Sequence, residues 1–254
     1  METLADKIRS LQVRENETAI IFMGQAGFIL KDSSGFLTAV DLYLSDCCER
    51  EFGFKRLIPK LLSPLDIVFN VIIATHGHYD HFDIDAIPCL MSNGKTQLYT
   101  TSGGIDECCK LGITQNVNLI EQGKSYTAGN IKFDAVFCDH GSLAPDAVGL
   151  IITCGNKKIY VVGDSCLRLD KAAEIQNEKI DVMFVPINGA YGNLNENDAV
   201  NLTQFLKPNL VVPCHYGNFN EHGGNVNKFI AILQKDIPAQ KYIALDIGEY
   251  FMLN

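Results

Sequence analysis

Apolar residues along this chain fall into short runs separated by polar punctuation, and run length and period distinguish strands from helices. Thr18–Met23, Gly27–Lys31 and Gly35–Asp41 read as strands, with Lys31-Asp32-Ser33-Ser34-Gly35 turning between the last two. Asn70–Thr75 is rich in β-branched residues and reads as a buried strand. Further strands are expected at Gln97–Thr100, Ile131–Asp139, Gly149–Thr153, Lys157–Gly163, Val182–Pro186, Leu210–Pro213 and Tyr242–Asp246, with Gly155-Asn156 as a hairpin turn. Helices are expected from the N-terminus to about Gln12 and at Phe54–Leu62, which stops before Ser63-Pro64. Others fall at Asp83–Met91, interrupted by Pro88, and at Gly104–Leu111, capped by Ser102 with Asp106 and Glu107 in its first turn. The last three are Leu169–Asn177, Glu196–Leu206 closed by Lys207-Pro208, and Val226–Gln234. The first half is strand-rich and the second alternates strand with helix, which predicts an α/β chain of sheets with helices outside. No linker or repeat interrupts it, so one domain over residues 1–254 is expected.

Composition narrows the class. With 254 residues, 47% hydrophobic, the chain has ample material for a core. A formal net charge of −9 disfavours nucleic acid and anionic membrane as partners, since both need clustered Lys and Arg. The opening METLADKIRS has no apolar signal region, and no apolar run reaches the roughly 20 residues of a spanning helix, so a cytoplasmic protein is expected. The nine cysteines form no C-x-x-C and mostly sit in apolar runs, as reduced core thiols do.

Candidate chemistry concentrates in ATHGHYDHFD, Ala74 to Asp83. In extended backbone, residues i and i+2 point the same way, so His76 and His78 reach one metal from the strand end. Asp80 and His81 follow the turn that Gly77 keeps unobstructed, and face a second metal. Three more polar residues each end an apolar run: His140 after AVFCD, Asp164 after IYVVG, His215 after LVVPC. Strands that all discharge a ligand at one edge build one site. The expected sets are His76, His78 and His140 for one metal, Asp80, His81 and His215 for the other, with Asp164 bridging. Imidazole with carboxylate suits zinc foremost, and manganese or iron as well, so two divalent metal ions per chain are expected.

THGHYDH resembles the H-x-H-x-D-H signature of the metallo-β-lactamase superfamily, and the likeness covers essentially the whole chain. His140, Asp164 and His215 match the later ligand motifs in order and context. The resemblance implies a four-layer αββα sandwich of two mixed β-sheets with helices outside and a dinuclear centre in a shallow cleft. The segments MGQAGFIL, VDLYLSD, PINGAYGNLNENDAV and PCHYGNF resemble the L-ascorbate-6-phosphate lactonase-like branch. Flavodiiron-type members carry Glu where this chain has His78, together with a flavin domain, so a redox role is not expected.

Two metals about 3.5–4 Å apart share a water, lower its pKa toward 7 and polarise the substrate. Asp80 and Asp164 are the expected catalytic carboxylates. Asp41 and Asp139 are candidates to fix imidazole tautomers. Asn188, Gln25, Tyr79, Tyr216 and His222 are candidate substrate contacts, with Tyr191 a weaker one. The helix start at Ser102-Gly103-Gly104 reads as an ordinary capped helix rather than a phosphate cradle. The leading expectation is a hydrolase of a small-molecule ester or lactone, including a phosphorylated sugar lactone. A phosphodiesterase using the same centre is the alternative, and a non-catalytic metal-binding domain the third reading. A homo-oligomer is compatible with the sequence.

Overall fold

A computed structural model describes residues 2–254. The chain opens with helix α1 (Leu4–Ser10) and a three-strand meander, β1 (Thr18–Gly24), β2 (Gly27–Asp32) and β3 (Leu37–Val40). Helix α2 (Cys47–Phe52) follows, then β4 (Val71–Ala74), α3 (Ala86–Met91), β5 (Gln97–Thr100), α4 (Ser102–Lys110) and β6 (Val117–Leu119). The second half runs β7 (Ser125–Ala128), β8 (Ile131–Val136), β9 (Gly149–Cys154), β10 (Lys157–Val161), α5 (Leu169–Ala172), β11 (Val182–Pro186), α6 (Glu196–Leu206), β12 (Leu210–Cys214), α7 (Val226–Asp236) and β13 (Tyr250–Leu253).

These strands form two mixed sheets, ordered β13-β1-β2-β3-β4-β5-β6 and β12-β11-β10-β9-β8-β7. Pairing is antiparallel through β13, β1, β2 and β3 and parallel from β3 to β6. The second sheet is antiparallel from β7 to β10 and parallel from β10 to β12. Side-chain alternation along each strand separates three cores. Ile20, Phe28, Val40 and Ile73 of the first sheet meet Phe133, Leu150, Ile159 and Phe184 of the second. Phe28 stacks on Phe184 at 4.3 Å across that seam. The intervening residues Ala19, Ile21, Ile29 and Ile72 face Ile8 of α1 and Ile87 and Leu90 of α3. On the far side, Tyr160, Met183 and Val185 face Ala199 and Leu206 of α6 and Phe229 and Leu233 of α7. The result is the helix–sheet–sheet–helix layering expected from the sequence.

Several elements differ from expectation. No helix forms over Phe54–Leu62. The helical turn lies earlier, in α2, and Gly53 ends it in the left-handed conformation at φ 77°. Beyond it, Arg56 donates to the carbonyls of Tyr43 and Ser45, and the Leu57 N–H goes to Asn218, so backbone and side chain are spent on tertiary partners. Pro59 would also remove a helical donor. Helix α3 starts only at Ala86, because the Asp83 carboxylate takes the amides of Leu44, Ser45 and Ala86 and stays outside it. Pro88 then falls in the first turn, where a missing N–H costs nothing. Helix α4 starts at Ser102, not Gly104, and Asp106 and Glu107 lie beyond its first turn. Asp146 instead accepts from the Ser102 hydroxyl and the Gly103 amide, 2.8 and 2.6 Å. Residues 242–246 form no strand: Tyr242 makes one isolated bridge to Val211, and the closing strand is β13, paired to β1. The expected helix over Leu169–Asn177 shortens to α5 and one 3₁₀ turn.

Candidate metal centre

The loops that follow β4, β8, β10 and β12 all end at one edge of the sandwich and bring together the seven expected donors, with His222 grouped beside Asp80 and His215. His76, His78, Asp80 and His81 come from the first loop, and His140, Asp164 and His215 from the others. Gly77 has no side chain because there is no space for one: a Cβ would lie 2.8 Å from the carbonyl carbon of Gly103 at the start of α4. Four of the seven non-glycine residues with positive φ among the described residues, Gln25, Asp41, Tyr191 and His215, lie at this site. Strained backbone of this kind persists where surrounding structure over-determines it.

The donors form two adjacent groups. In one, His76 Nε2 is 3.0 Å from His78 Nδ1, and His140 Nε2 is 3.3 Å from the same atom. Asp164 Oδ2 lies 3.7 Å from His140 Nε2. In the other, His81 Nε2 and His215 Nε2 are 3.2 Å apart. Asp164 Oδ1 lies 3.3 and 3.2 Å from them, and Asp80 Oδ2 3.6 and 3.3 Å. Asp164 therefore touches both groups, one oxygen to each.

Outer partners assign the imidazole protons. His78 Nε2 bonds the Leu143 carbonyl at 3.1 Å, so it carries the proton and Nδ1 keeps the lone pair. His81 Nδ1 faces Asp41 Oδ2 at 2.9 Å, which leaves its Nε2 unprotonated when neutral. The Thr75 hydroxyl donates to Asp41 at 2.8 Å and so accepts from His76 Nδ1 at 3.1 Å. The lone pairs of His76 Nε2 and His78 Nδ1 then face each other at 3.0 Å with no hydrogen between them. Such an arrangement is repulsive unless a cation lies among the nitrogens. Asp164 Oδ1 is buried without a hydrogen-bond partner, as is His140 Nδ1. Five imidazoles and two carboxylates facing inward fit a divalent metal centre in donor type and in number, a metal replacing the protons that Asp164 and Asp80 favour on His81 and His215, whose pKa values they raise against burial.

Electrostatics follow from the same contacts. Burial alone would raise the Asp164 and Asp80 carboxyls, but the imidazoles of His215 and His81 hold both well below the usual range. Burial depresses His76 strongly, so it stays neutral. Burial also takes His222 down to about 4. Cys48, in the cleft lining, is held as an unreactive thiol by its hydrogen bond with the Cys47 thiol and by burial.

The other expected residues divide. Asp41 reaches His81 as anticipated, and Thr75, which the sequence reading passed over, fixes Asp41 with two bonds of 2.8 Å. Asp139 does not reach an imidazole: its carboxylate pairs with Arg168 at 2.9 Å and takes the Gly141 amide. Gln25 is completely buried and no substrate contact. Its amide donates to Asp80 Oδ2 and His222 Nδ1, both at 2.8 Å, so it orients donors from behind. Tyr79 and His222 line the cleft, and His222 lies parallel to His215 with ring centres 5.0 Å apart. Asn188 and Tyr216 do not line it. Asn188 is buried beside its bridge to Asn195, and Tyr216 turns into the core under α6 and α7 because His215, at φ 59°, reverses the chain before it. Phe52, Phe54 and Leu143 line the cleft without having been expected there. Their loops have no periodicity, and the aromatic pair in Phe52-Gly53-Phe54 was the available signal.

Comparison with known proteins agrees with this geometry. The family described as "Beta-lactamase superfamily domain" matches residues 19–215. A "UPF0173 metal-dependent hydrolase" of Polynucleobacter asymbioticus is 25% identical over 239 residues, covering 87% of this chain and 81% of that one. A second, from Staphylococcus saprophyticus, is 31% identical over 172 residues, covering 63% and 73%. Among solved structures, a possible metal-dependent hydrolase from Veillonella parvula superposes with a TM-score of 0.76 at 19% identity, covering 93% of this chain and 99% of that one. An isothiocyanate hydrolase from Delia radicum gut bacteria superposes with a TM-score of 0.72 at 19% identity, covering 92% and 98%. At that identity the likeness to solved structures concerns the fold.

Proposed function

Because the chain belongs to the beta-lactamase superfamily, and within it to the UPF0173 metal-dependent hydrolases, we propose that it hydrolyses a small-molecule carboxylic ester or lactone at a centre of two divalent metal ions. The observation that carries this reading is the meeting of two donor groups at Asp164, one carboxylate oxygen toward each. His76, His78, His140 and Asp164 would hold one ion; Asp80, His81, His215 and Asp164 the other. Bound there, the ions supply Lewis acidity and a nucleophile drawn from water at neutral pH. The chain's own groups do the rest. Asp41 and Thr75 hold His76 and His81 in the tautomers that face inward. At Asp80, Oδ2 is engaged by Gln25, which leaves Oδ1 as the atom that would orient the attacking water. His222 lines the cleft beside that carboxylate; with Gln25 on Nδ1, its proton sits on Nε2, a donor for a substrate oxygen.

Elemental analysis of protein purified without tag or chelator tests the centre. About two equivalents of zinc, manganese or iron per chain are expected. In His78→Ala, metal content falls and ester or lactone hydrolysis is lost while the far-ultraviolet spectrum is retained. Wild-type turnover in that variant, or protein that takes up no metal on reconstitution, would overturn the reading.

A further inference from the structure

Away from the donors, the cavity above them has no basic side chain to receive an anionic group. It is an open cleft of about 190 Å³ whose floor is His78, Asp80, His140 and Asp164. Its walls are Phe52, Phe54, Tyr79, Leu143 and Tyr191, and no Lys or Arg lines it. The aromatic walls form a continuous cage. Phe52 lies 5.4 Å from Tyr79 and 5.9 Å from Phe54 between ring centres, and Tyr191 lies 6.1 Å from Phe54 and 5.5 Å from His222.

Three of these walls are apolar side chains left in water: Phe52 is 55% exposed, Leu143 53% and Tyr191 47%. Burying such groups on a ligand recovers apolar area, about 25 cal/mol per Å². Tyr191 is also held at φ 54°, a conformation an aromatic residue rarely adopts, and in which it caps the cleft. The carboxylates in the cleft lining meet no Lys or Arg there. Asp80 and Asp164 lie in the floor, and the Tyr79 hydroxyl, whose pKa burial raises, is turned to Glu107. The well-buried guanidinium of Arg56 is spent on backbone carbonyls and sits 4.2 Å over the Tyr43 ring. A cavity of about 150 Å³ accommodates benzene, so this one suits a single-ring or short branched-alkyl group.

Building on the hydrolase reading above, we propose that the substrate is uncharged and carries an aryl or compact alkyl group, which the Phe52–Phe54–Tyr79–Tyr191 cage holds over the metal donors, and that phosphorylated substrates are excluded. With its lactone at the metal donors, the expected phosphorylated sugar lactone would put a dianion among the rings of the wall, where no Lys or Arg meets it. Desolvating that charge without a partner costs several kcal/mol.

Three lactones test this on the metal-loaded protein: γ-phenyl-γ-butyrolactone, unsubstituted γ-butyrolactone and 6-phosphogluconolactone. The phenyl compound is expected to exceed the unsubstituted one at least ten-fold in kcat/KM, and the phosphorylated one to fall at least ten-fold below it. Tyr191→Ala and Phe52→Ala change half-exposed side chains that the fold tolerates. Each is expected to cut the phenyl-to-unsubstituted ratio at least three-fold, through KM. Saturation-transfer NMR of γ-phenyl-γ-butyrolactone with the zinc-loaded protein gives a readout free of turnover, with contact expected in the wild type and reduced in Tyr191→Ala. A preference for the phosphorylated lactone, or no phenyl contact by NMR, overturns the inference whatever the turnover. Phenyl contact without turnover of any of the three would uphold the cage and overturn the lactone reading instead.

Discussion

Asp41 and Asp139 show what adjacency in sequence does and does not convey. Asp139 precedes His140 in the loop after β8, yet its carboxylate leaves the site for Arg168. Asp41 is 40 positions from His81, but β3 and β4 are parallel neighbours, so the end of one strand lies beside the loop leaving the other. It accepts three bonds, from the Thr75 amide, the Thr75 hydroxyl and His81 Nδ1, at 2.8, 2.8 and 2.9 Å. Asp41→Asn replaces one acceptor oxygen by a donor that faces an N–H or O–H, so His81 loses its tautomer lock. Metal affinity is expected to fall about 10–100-fold, read by competition with a chromogenic chelator. Asp139→Ala, which removes a partly exposed ion pair, is expected to leave that affinity unchanged and to cost under about 1 kcal/mol. Equal losses in the two variants would mean that proximity of charge, not the bond to His81, matters. The H-x-H-x-D-H candidate ligands were legible because they are consecutive and chemically unusual. Thr75, Phe52 and Leu143 were not, because each acts through a neighbour brought in by a distant loop.

Among the elements, the strands with long apolar runs were readable and the polar edges were not. The edge strands β6 and β7, three and four residues long with largely exposed or half-buried side chains, are too short for a period to register. The Phe54–Leu62 segment has helical apolar spacing, but Arg56 and Leu57 commit it to partners that only the fold supplies. Helices α6 and α7 were read nearly to the residue, because each has an Asn N-cap and an apolar stripe. What joins them was hidden. Glu196, buried in the first turn of α6, accepts from the Asn225 amide at 3.0 Å and from Lys228 Nζ at 2.9 Å, so it ties α6 to the start of α7. Burial would raise its carboxyl, yet Lys228 and the Asn225 N–H hold it below the ordinary value of 4.5. A carboxyl with a depressed folded pKa stabilises the fold above its ordinary pKa, and that contribution disappears as pH falls through the folded value. Glu196→Ala is expected to cost about 1–3 kcal/mol at pH 7 by urea unfolding, and the gap from wild type should narrow below pH 4.5. A gap that stays constant or widens on acidification would show that the carboxylate's charge is not what holds the helices together.

At the scale of the molecule, the metal donors are the second seam between the sheets. The first is apolar and central, with Phe28 on Phe184. The second lies at the edge, where His76, His78, Asp80 and His81 leave the first sheet and His140, Asp164 and His215 leave the other. Without a cation, that edge leaves the lone pairs of His76 and His78 facing each other and buries two carboxylates with only imidazoles to balance them, so it should be the least stable part of the sandwich while the apolar seam stays closed. Any ion bound only by the folded state must stabilise it, by about 2.7 kcal/mol at 100 times its Kd. For a chain of this size 1 kcal/mol moves Tm by about 2–4 °C, so each site is expected to add about 5–10 °C at that excess. Chelation should lower Tm by at least that amount, and zinc should restore it. Hydrogen exchange locates the effect: on chelation the amides of the four ligand loops should lose protection while β1, β2, β9 and β11 keep theirs. A uniform loss across both sheets would instead make the metal a requirement of the whole fold. An unchanged Tm in protein shown to bind two equivalents would contradict linkage unless the unfolded chain, with its clustered histidines and nine thiols, binds the metal equally well, which titration of the urea-unfolded protein decides.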